Sequence, residues 1–344
     1  MSGEGVRVLH PHDEILLIGK DTRMIFEKRI ISFYKQTLLK RHDPDGCIFY
    51  FSKSDFDGLE SESFSFTGDR GQRLAGEIYY RGKLRTDRLI IFEHGMGCGH
   101  VAYMREIDLI TRHGYTVVTY DHTGTRLSGG EHIGGFSQSL CDLEHCIGAI
   151  RADERFKSSS LSVIGHSWGG FSAMNSPAIC PEITHTVAIS GFISSKEIQD
   201  QVFCGPLKLY RKAAYEAELE DFPKHAKIDA VSTLKNSNTK ALIIHSRDDE
   251  TVSYERHFMK LEAAMGGNER VQFLTLDGKR HNPTYTEEAV AYKSEFSAEM
   301  KRRNKKNELV TDEAKAKLRD SYDWYKMTDQ DEELWDKIFE FLEN

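Results

Sequence analysis

Apolar positions along this chain follow two rhythms. Between residues 22 and 40, Phe26, Ile30, Phe33, Tyr34 and Leu38 recur at helical spacing among Lys and Arg residues. That spacing predicts an amphipathic helix, packed on the following domain as an N-terminal arm. Then the period becomes two. Phe64 and Phe66 flank Ser65, Gly68-Asp69-Arg70-Gly71 reads as a turn, and Leu74 to Tyr80 resumes the alternation, which predicts a β-hairpin.

Beyond the hairpin, short continuous apolar runs alternate with helical patterns. Leu89–Phe92, Thr116–Tyr120, Leu161–Ile164, Val187–Ser190, Ala241–His245 and Val271–Leu276 read as buried strands. Tyr103–His113, Leu140–Arg151, a helix opening at Gly170, and Tyr254–Met265 read as the helices between them. Continuously apolar strands separated by helices imply a mostly parallel sheet covered on both faces, here entered through an antiparallel hairpin. Two stretches interrupt the alternation. Residues 191–235 read as helices (Lys196–Phe203, Pro206–Glu220). Residues from about 284 to 344 are highly charged, with a basic run at Lys301–Lys306 that reads as a solvated helix face or loop. The chain closes on Glu332–Leu342, where Leu334, Ile338, Phe341 and Leu342 share one face. The expected division is therefore an arm over 1–60, an α/β core over 61–190 and 236–344, and an insertion over 191–235.

Composition narrows the function. The 344 residues carry 46 Lys and Arg against 54 Asp and Glu, a formal net charge of −8, which makes a nucleic-acid partner a poor expectation. No apolar run approaches the roughly 20 residues of a membrane span. The segment Met1–Glu14 has no apolar stretch of the signal-peptide kind. The six cysteines, Cys47, Cys98, Cys141, Cys146, Cys180 and Cys204, are scattered without a C-x-x-C pair, as expected for reduced thiols in the cytoplasm. No His-Glu-x-x-His or ligand-spaced Cys/His cluster occurs, so neither a metal nor a cofactor is expected.

The candidate chemistry begins at Gly165-His166-Ser167-Trp168-Gly169-Gly170, between the strand Leu161–Ile164 and a helix. In G-x-S-x-G the serine sits on a tight strained turn that holds its hydroxyl clear of the sheet. The flanking glycines admit neighbouring backbone, and the helix N-terminus favours negative charge. A serine hydroxyl needs a base, and the base needs an orienting acid, expected in the chain order Ser, Asp or Glu, His. Strand Ala241–His245 leads to Asp248-Asp249-Glu250-Thr251-Val252, and strand Val271–Leu276 leads to Asp277-Gly278-Lys279-Arg280-His281. Asp249 is assigned as acid and His281 as base, with Asp248 as the competing acid or a turn residue. Strand Leu89–Phe92 ends in Glu93-His94-Gly95-Met96-Gly97-Cys98-Gly99, a loop able to aim N–H groups at an oxyanion. Met96 and Trp168 are the expected donors. Gly95, Gly97 and the Trp168 ring are the expected pocket lining. His94 and His166 are expected to hold loops by hydrogen bonds rather than to catalyse. Cys98 is a poor second nucleophile, and Cys141 and Cys146 read as core helix residues.

These pieces resemble the α/β-hydrolase superfamily, in its monoacylglycerol lipase and serine aminopeptidase branch. The similarity rests on His94-Gly95-Met96-Gly97, Gly165 to Gly170, Asp249-Glu250-Thr251-Val252 and Gly278 followed by His281. The resemblance implies an eight-stranded sheet and a helical cap, at the position of 191–235. It implies a serine hydrolase working through Ser167, His281 and Asp249. One departure stands out. The branch's usual Asp-x-Arg-Gly-x-Gly-x-Ser reads here Asp121-His122-Thr123-Gly124-Thr125-Arg126-Leu127-Ser128, so the wall near the nucleophile is expected to differ. A small-molecule carboxylic ester is the expected substrate. Thioester hydrolysis, acyl transfer and aminopeptidase-like amide cleavage remain alternatives, as do a non-catalytic interaction protein and a cofactor-free lyase or haloperoxidase. Oligomeric state is open.

Overall fold

The computed structural model describes residues 27–42, 51–97 and 99–344. Phe26, Cys47 and Cys98 lie outside them. The sheet is eight-stranded, ordered β1-β2-β4-β3-β5-β6-β7-β8, from β1 (Leu59–Thr67), β2 (Arg73–Arg81), β3 (Arg88–Glu93), β4 (Thr116–Tyr120), β5 (Ser160–His166), β6 (Ile183–Ile189), β7 (Lys240–Ser246) and β8 (Val271–Leu276). β1 and β2 form the expected hairpin, and β2 pairs antiparallel with β4. Every other pairing is parallel. The central parallel strands are buried along most of their length, β3 with no exposed position and β4 buried throughout, whereas the edge strand β8 buries only Val271 fully.

Helices cover both faces. The cluster on one face includes Leu140, Leu143 and Ile147 of α3 (Gln138–Ala152), Phe171 of α4 (Trp168–Asn175), Leu234 of α7 (Ala230–Lys235) and Leu261 of α8 (Lys260–Met265). The cluster on the other includes Ile107 and Ile110 of α2 (Met104–Arg112) and Leu334, Ile338, Phe341 and Leu342 of α12 (Glu332–Glu343). α12 thus buries the face its spacing predicted. Cys141 and Cys146 are buried on α3.

The arm helix, α1, is helical over 27–38. It packs on the 191–235 segment: the Tyr34 ring lies 4.9 Å from that of Phe203, and Lys35 pairs with Asp221 at 2.5 Å. Phe33 does not join this face. It is 65% exposed, while Leu39 beyond the helix is buried. Arg41 donates to the carbonyls of Arg126, Ser128 and Gly130, pinning the divergent loop after β4.

Residues 191–235 contain α5 (Ser195–Val202), a 3-10 turn (Gly205–Tyr210), α6 (Arg211–Asp221) and α7. The single helix expected over Pro206–Glu220 is thus split, because its first residues follow a proline and wind more tightly. Tyr254–Met265 likewise opens as a wide π turn over Tyr254–Met259 before α8. The charged tail forms α9 (Glu287–Lys305), α10 (Asp312–Arg319), α11 (Trp324–Met327) and α12. Phe296, Leu318 and Met327 give it a small core of its own.

Candidate active site

Ser167 occupies the turn between β5 and α4 with φ 58° and ψ −114°, a strained conformation for a residue with a side chain. The turn closes only because its neighbours are glycines. A Cβ on Gly165 would collide with the Gly169 carbonyl, and one on Gly169 with the Glu93 carbonyl at the end of β3. The Ser167 N–H donates to Ile189 O at 2.8 Å, tying the turn to β6.

Three loops at the carboxyl ends of parallel strands bring Ser167, His281 and Asp249 together. His281 Nε2 lies 2.9 Å from Ser167 Oγ, and His281 Nδ1 lies 2.8 Å from Asp249 Oδ2. With Nδ1–H donating to the carboxylate, Nε2 is left to accept the serine proton. Asp249 Oδ1 accepts from the N–H groups of Thr251 (2.8 Å) and Val252 (3.0 Å). His245 Nε2, one strand position before the loop, lies 3.2 Å from Asp249 Oδ2 and donates to Val252 O at 2.9 Å. Burial works to raise the Asp249 carboxyl, but hydrogen bonds from His245 and His281 outweigh it and hold it far below the usual carboxylate range. It is an anion at any physiological pH.

Asp248 points elsewhere. Its Oδ1 accepts from Ser246 Oγ and from the Arg280 N–H (3.2 Å), so it shapes the turn that presents His281. Arg280 itself has φ 49°, the sharp corner just before the imidazole. Lys279 anchors that corner from behind: its Nζ donates to Tyr285 O and Asp331 Oδ2, both at 2.8 Å. Two backbone bonds, Thr286 N to Asp329 O (3.0 Å) and Asp331 N to Thr284 O (2.7 Å), complete the tie to the start of α12.

The cleft over Ser167 has a volume of about 360 Å³ and is lined on one side by Gly95, Met96, Gly97 and Tyr103, on the other by His281, Asn282 and Lys293. A Cβ on Gly95 would approach the Tyr103 hydroxyl to 2.6 Å, so that loop needs glycine as the turn does. Trp168 opens α4, where a backbone N–H has no partner within the helix. Its ring does not line the cleft. The indole is buried, and Nε1 donates to Phe136 O at 2.7 Å on the core side of α4. The expectation of a Trp168 pocket wall is thereby corrected: at the first position of an inward-facing helix the side chain goes to the core. A larger hollow of about 450 Å³, lined by Pro177, Ile228 and Asp229 among others, holds no serine with a base in reach.

His94 and His166 hold loops. His94 Nδ1 donates to Gly95 O (2.6 Å) and Nε2 accepts from the His122 N–H (3.0 Å). His166 Nε2 donates to His281 O (2.6 Å), while Nδ1 accepts from the Tyr103 hydroxyl (2.9 Å), which accepts from the Gly95 N–H (3.0 Å). Burial, with the nearby His281, lowers the His166 pKa to about 3, so it stays neutral and can play both parts. One chain of bonds thus links the glycine loop to the loop of His281. Sequence reasoning missed Tyr103, His245, Lys279 and Lys293. His245 alone left a signal, four residues before Asp249. The divergent loop also has its own buried bonds: Thr123 donates twice to Asp142 (2.7 and 2.8 Å), and Arg126 lies 3.5 Å from Asp121.

Comparison with known proteins agrees with this architecture. Residues 85–233, spanning the glycine loop and Ser167, match the family described as serine aminopeptidase, S33. The chain has the α/β-hydrolase fold. Esterase Pf2001 of Pyrococcus furiosus superposes with a TM-score of 0.55 at 20% identity, over 74% of this chain and 95% of that one. In a second crystal form it gives 0.55 at 22% identity, over 77% and 96%. An uncharacterized protein of Acanthamoeba polyphaga mimivirus is 22% identical to this chain over 213 residues, 60% of this chain and 71% of that one. Among the described residues no helix is long and apolar enough to cross a membrane.

Proposed function

We propose that the protein is a serine hydrolase of small-molecule carboxylic esters. Ser167 Oγ attacks the acyl carbonyl as His281 Nε2 takes its proton, and Asp249 holds the imidazole in the needed tautomer and stabilises its positive form. The N–H groups of Met96 and Trp168 receive the oxyanion, and Gly95 and Gly97 leave room for the acyl carbon. The tetrahedral intermediate collapses as His281 returns the proton to the leaving alkoxide. Water, deprotonated by the same imidazole, then releases the acyl group from Ser167.

The observation that carries this reading is the pair of contacts on one imidazole, 2.9 Å to Ser167 Oγ and 2.8 Å to Asp249 Oδ2, at a strained serine. The Pyrococcus furiosus relative, named an esterase, is in keeping with ester substrates. The unpaired cysteines Cys141, Cys146, Cys180 and Cys204 suit a reducing compartment, and we assign the enzyme to the cytoplasm. Residues 191–235 form its cap, although none of them lines the cleft over Ser167. They brace the acid loop instead: Gln201 donates to Thr251 O (2.8 Å) and accepts from the Ser253 N–H (3.0 Å).

A fluorophosphonate probe tests the reading. Covalent labelling of the wild type, lost in Ser167→Ala, is expected, together with turnover of p-nitrophenyl esters. A folded wild type that neither labels nor turns over any ester would leave the non-catalytic interaction protein as the better account.

A further inference from the structure

The wall of the cleft opposite the glycine loop is cationic, and nothing in the ester chemistry itself requires that. Lys293, on α9, lines the cleft together with Ser167 and His281. Its Nζ donates to Asn282 Oδ1 at 2.9 Å and stands 4.8 Å from the centre of the Tyr285 ring. No carboxylate of a described residue lies within 4.0 Å of it. The acid that faces it across the fold is Glu106 of α2, and burial raises that carboxyl to about 7, which leaves the ammonium poorly compensated. A second hollow of about 400 Å³ continues outward past His281 and Lys293, with Arg280 and Lys301 on its walls and Glu250 as its one acid. Arg280 and Lys301 form no ion pair with a described residue. Three cations against one carboxylate line this path, on a protein whose net charge is −8.

Resting on the serine-hydrolase reading, we propose that the natural substrate is an acyl ester bearing an anionic oxyacid group, a carboxylate or a phosphate, which Lys293, Arg280 and Lys301 receive while Ser167 attacks the ester carbonyl. A half-buried ammonium already hydrogen-bonded to one amide has donors left over, and an anionic oxygen supplies both the missing acceptor and the missing charge. The same wall disfavours a free amino group beside the scissile bond. An aminopeptidase needs carboxylates there, and this cleft presents a lysine.

The test compares kcat/KM across p-nitrophenyl esters of matched size: the neutral pentanoate, the hydrogen glutarate, the 4-phosphonobutyrate and the cationic 5-aminopentanoate. The pentanoate of 4-hydroxybenzoate moves the anion to the leaving-group side. The expected order is anionic over neutral over cationic, by about tenfold per step. The glutarate and phosphonate arms tell carboxylate from phosphate. In Lys293→Met the anionic-to-neutral ratio falls about tenfold, and Lys293→Arg restores most of it. Arg280→Gln and Lys301→Gln, at exposed positions, lower the ratio less. Neutral esters turned over as well as every anionic one, or a preference unchanged in all three cation variants, overturn the proposal and leave the serine chemistry standing. A serine that neither labels nor turns over any ester fells both.

Discussion

The two walls of the cleft are built by opposite means. One is backbone. Gly95 and Gly97 line it beside Ser167, with Met96 and Tyr103, and its close approach to the Ser167 turn depends on glycine: a Cβ at Gly95 would press on Tyr103, and one at Gly169, in the turn behind the cleft, would strike Glu93. The other is side chain. His281, Asn282 and Lys293 form it, mounted on a loop and a helix that the C-terminal tail holds from behind. A wall of backbone fixes where atoms react and tolerates almost no substitution. A wall of side chains selects what enters, and its members change one at a time. Chemistry is expected to fail when the first wall or the groups it meets are altered, and selectivity when the second is.

On the proposed mechanism the largest effects come from Ser167, His281 and Asp249. Ser167→Ala and His281→Ala should each lower kcat on a p-nitrophenyl ester by about 10⁴-fold or more with the far-ultraviolet circular dichroism unchanged. Asp249→Asn should cost about 10⁴-fold, since an amide favours the wrong imidazole tautomer. Asp248→Asn should cost less than about tenfold, because Asp248 faces the Arg280 N–H and not the imidazole. The reverse ranking of these two would reassign the acid. Next comes the backbone wall: Gly169→Ala should destabilise the fold by about 3 kcal/mol or more in denaturant titration, given the clash with the Glu93 carbonyl. Tyr103→Phe removes the acceptor of the Gly95 N–H and the donor to His166. It should lower kcat about tenfold through a looser glycine loop, leaving Ser167 open to fluorophosphonate. The smallest effect is a pH dependence of the selective wall. Burial lowers Lys293 to about 8, against the opposing pull of Glu106. Tyr103, Tyr285, His281, Arg280, Lys301 and Glu250 share its surroundings. The ammonium is charged below that pKa and neutral above it. The preference for anionic over neutral esters should therefore hold at pH 7 and weaken severalfold by pH 9, measured as a ratio so that the titration of other groups cancels.

How much of this was legible follows the same division. Turn chemistry writes itself into sequence, because only glycine fits at 165, 169 and 95. The serine turn, the glycine loop and the two loops bearing Asp249 and His281 could therefore be located from spacing after strands. The sheet was legible for the related reason that strands buried on both faces are continuously apolar, as β3 and β4 are. The selective wall was not. Lys293 sits in a helix rich in Glu, Lys and Arg, where one lysine looks like the next until α9 is packed against the loop after β8. Trp168 was misread because an aromatic beside a nucleophile suggests a pocket, whereas the helix axis turns that ring toward Phe136. Lys279 and Asp331 are 52 residues apart, and no periodicity connects them.

That last pairing has a consequence for how the protein matures. The corner that presents the imidazole is clamped by a carboxylate and a strand-like contact supplied by residues 329–331. The Ser167 turn, the Asp249 loop and the sheet all precede them in synthesis. On the proposed mechanism, a nascent or clipped chain ending before residue 331 would carry Ser167 yet lack this brace for His281, so hydrolytic competence should wait until that segment has docked.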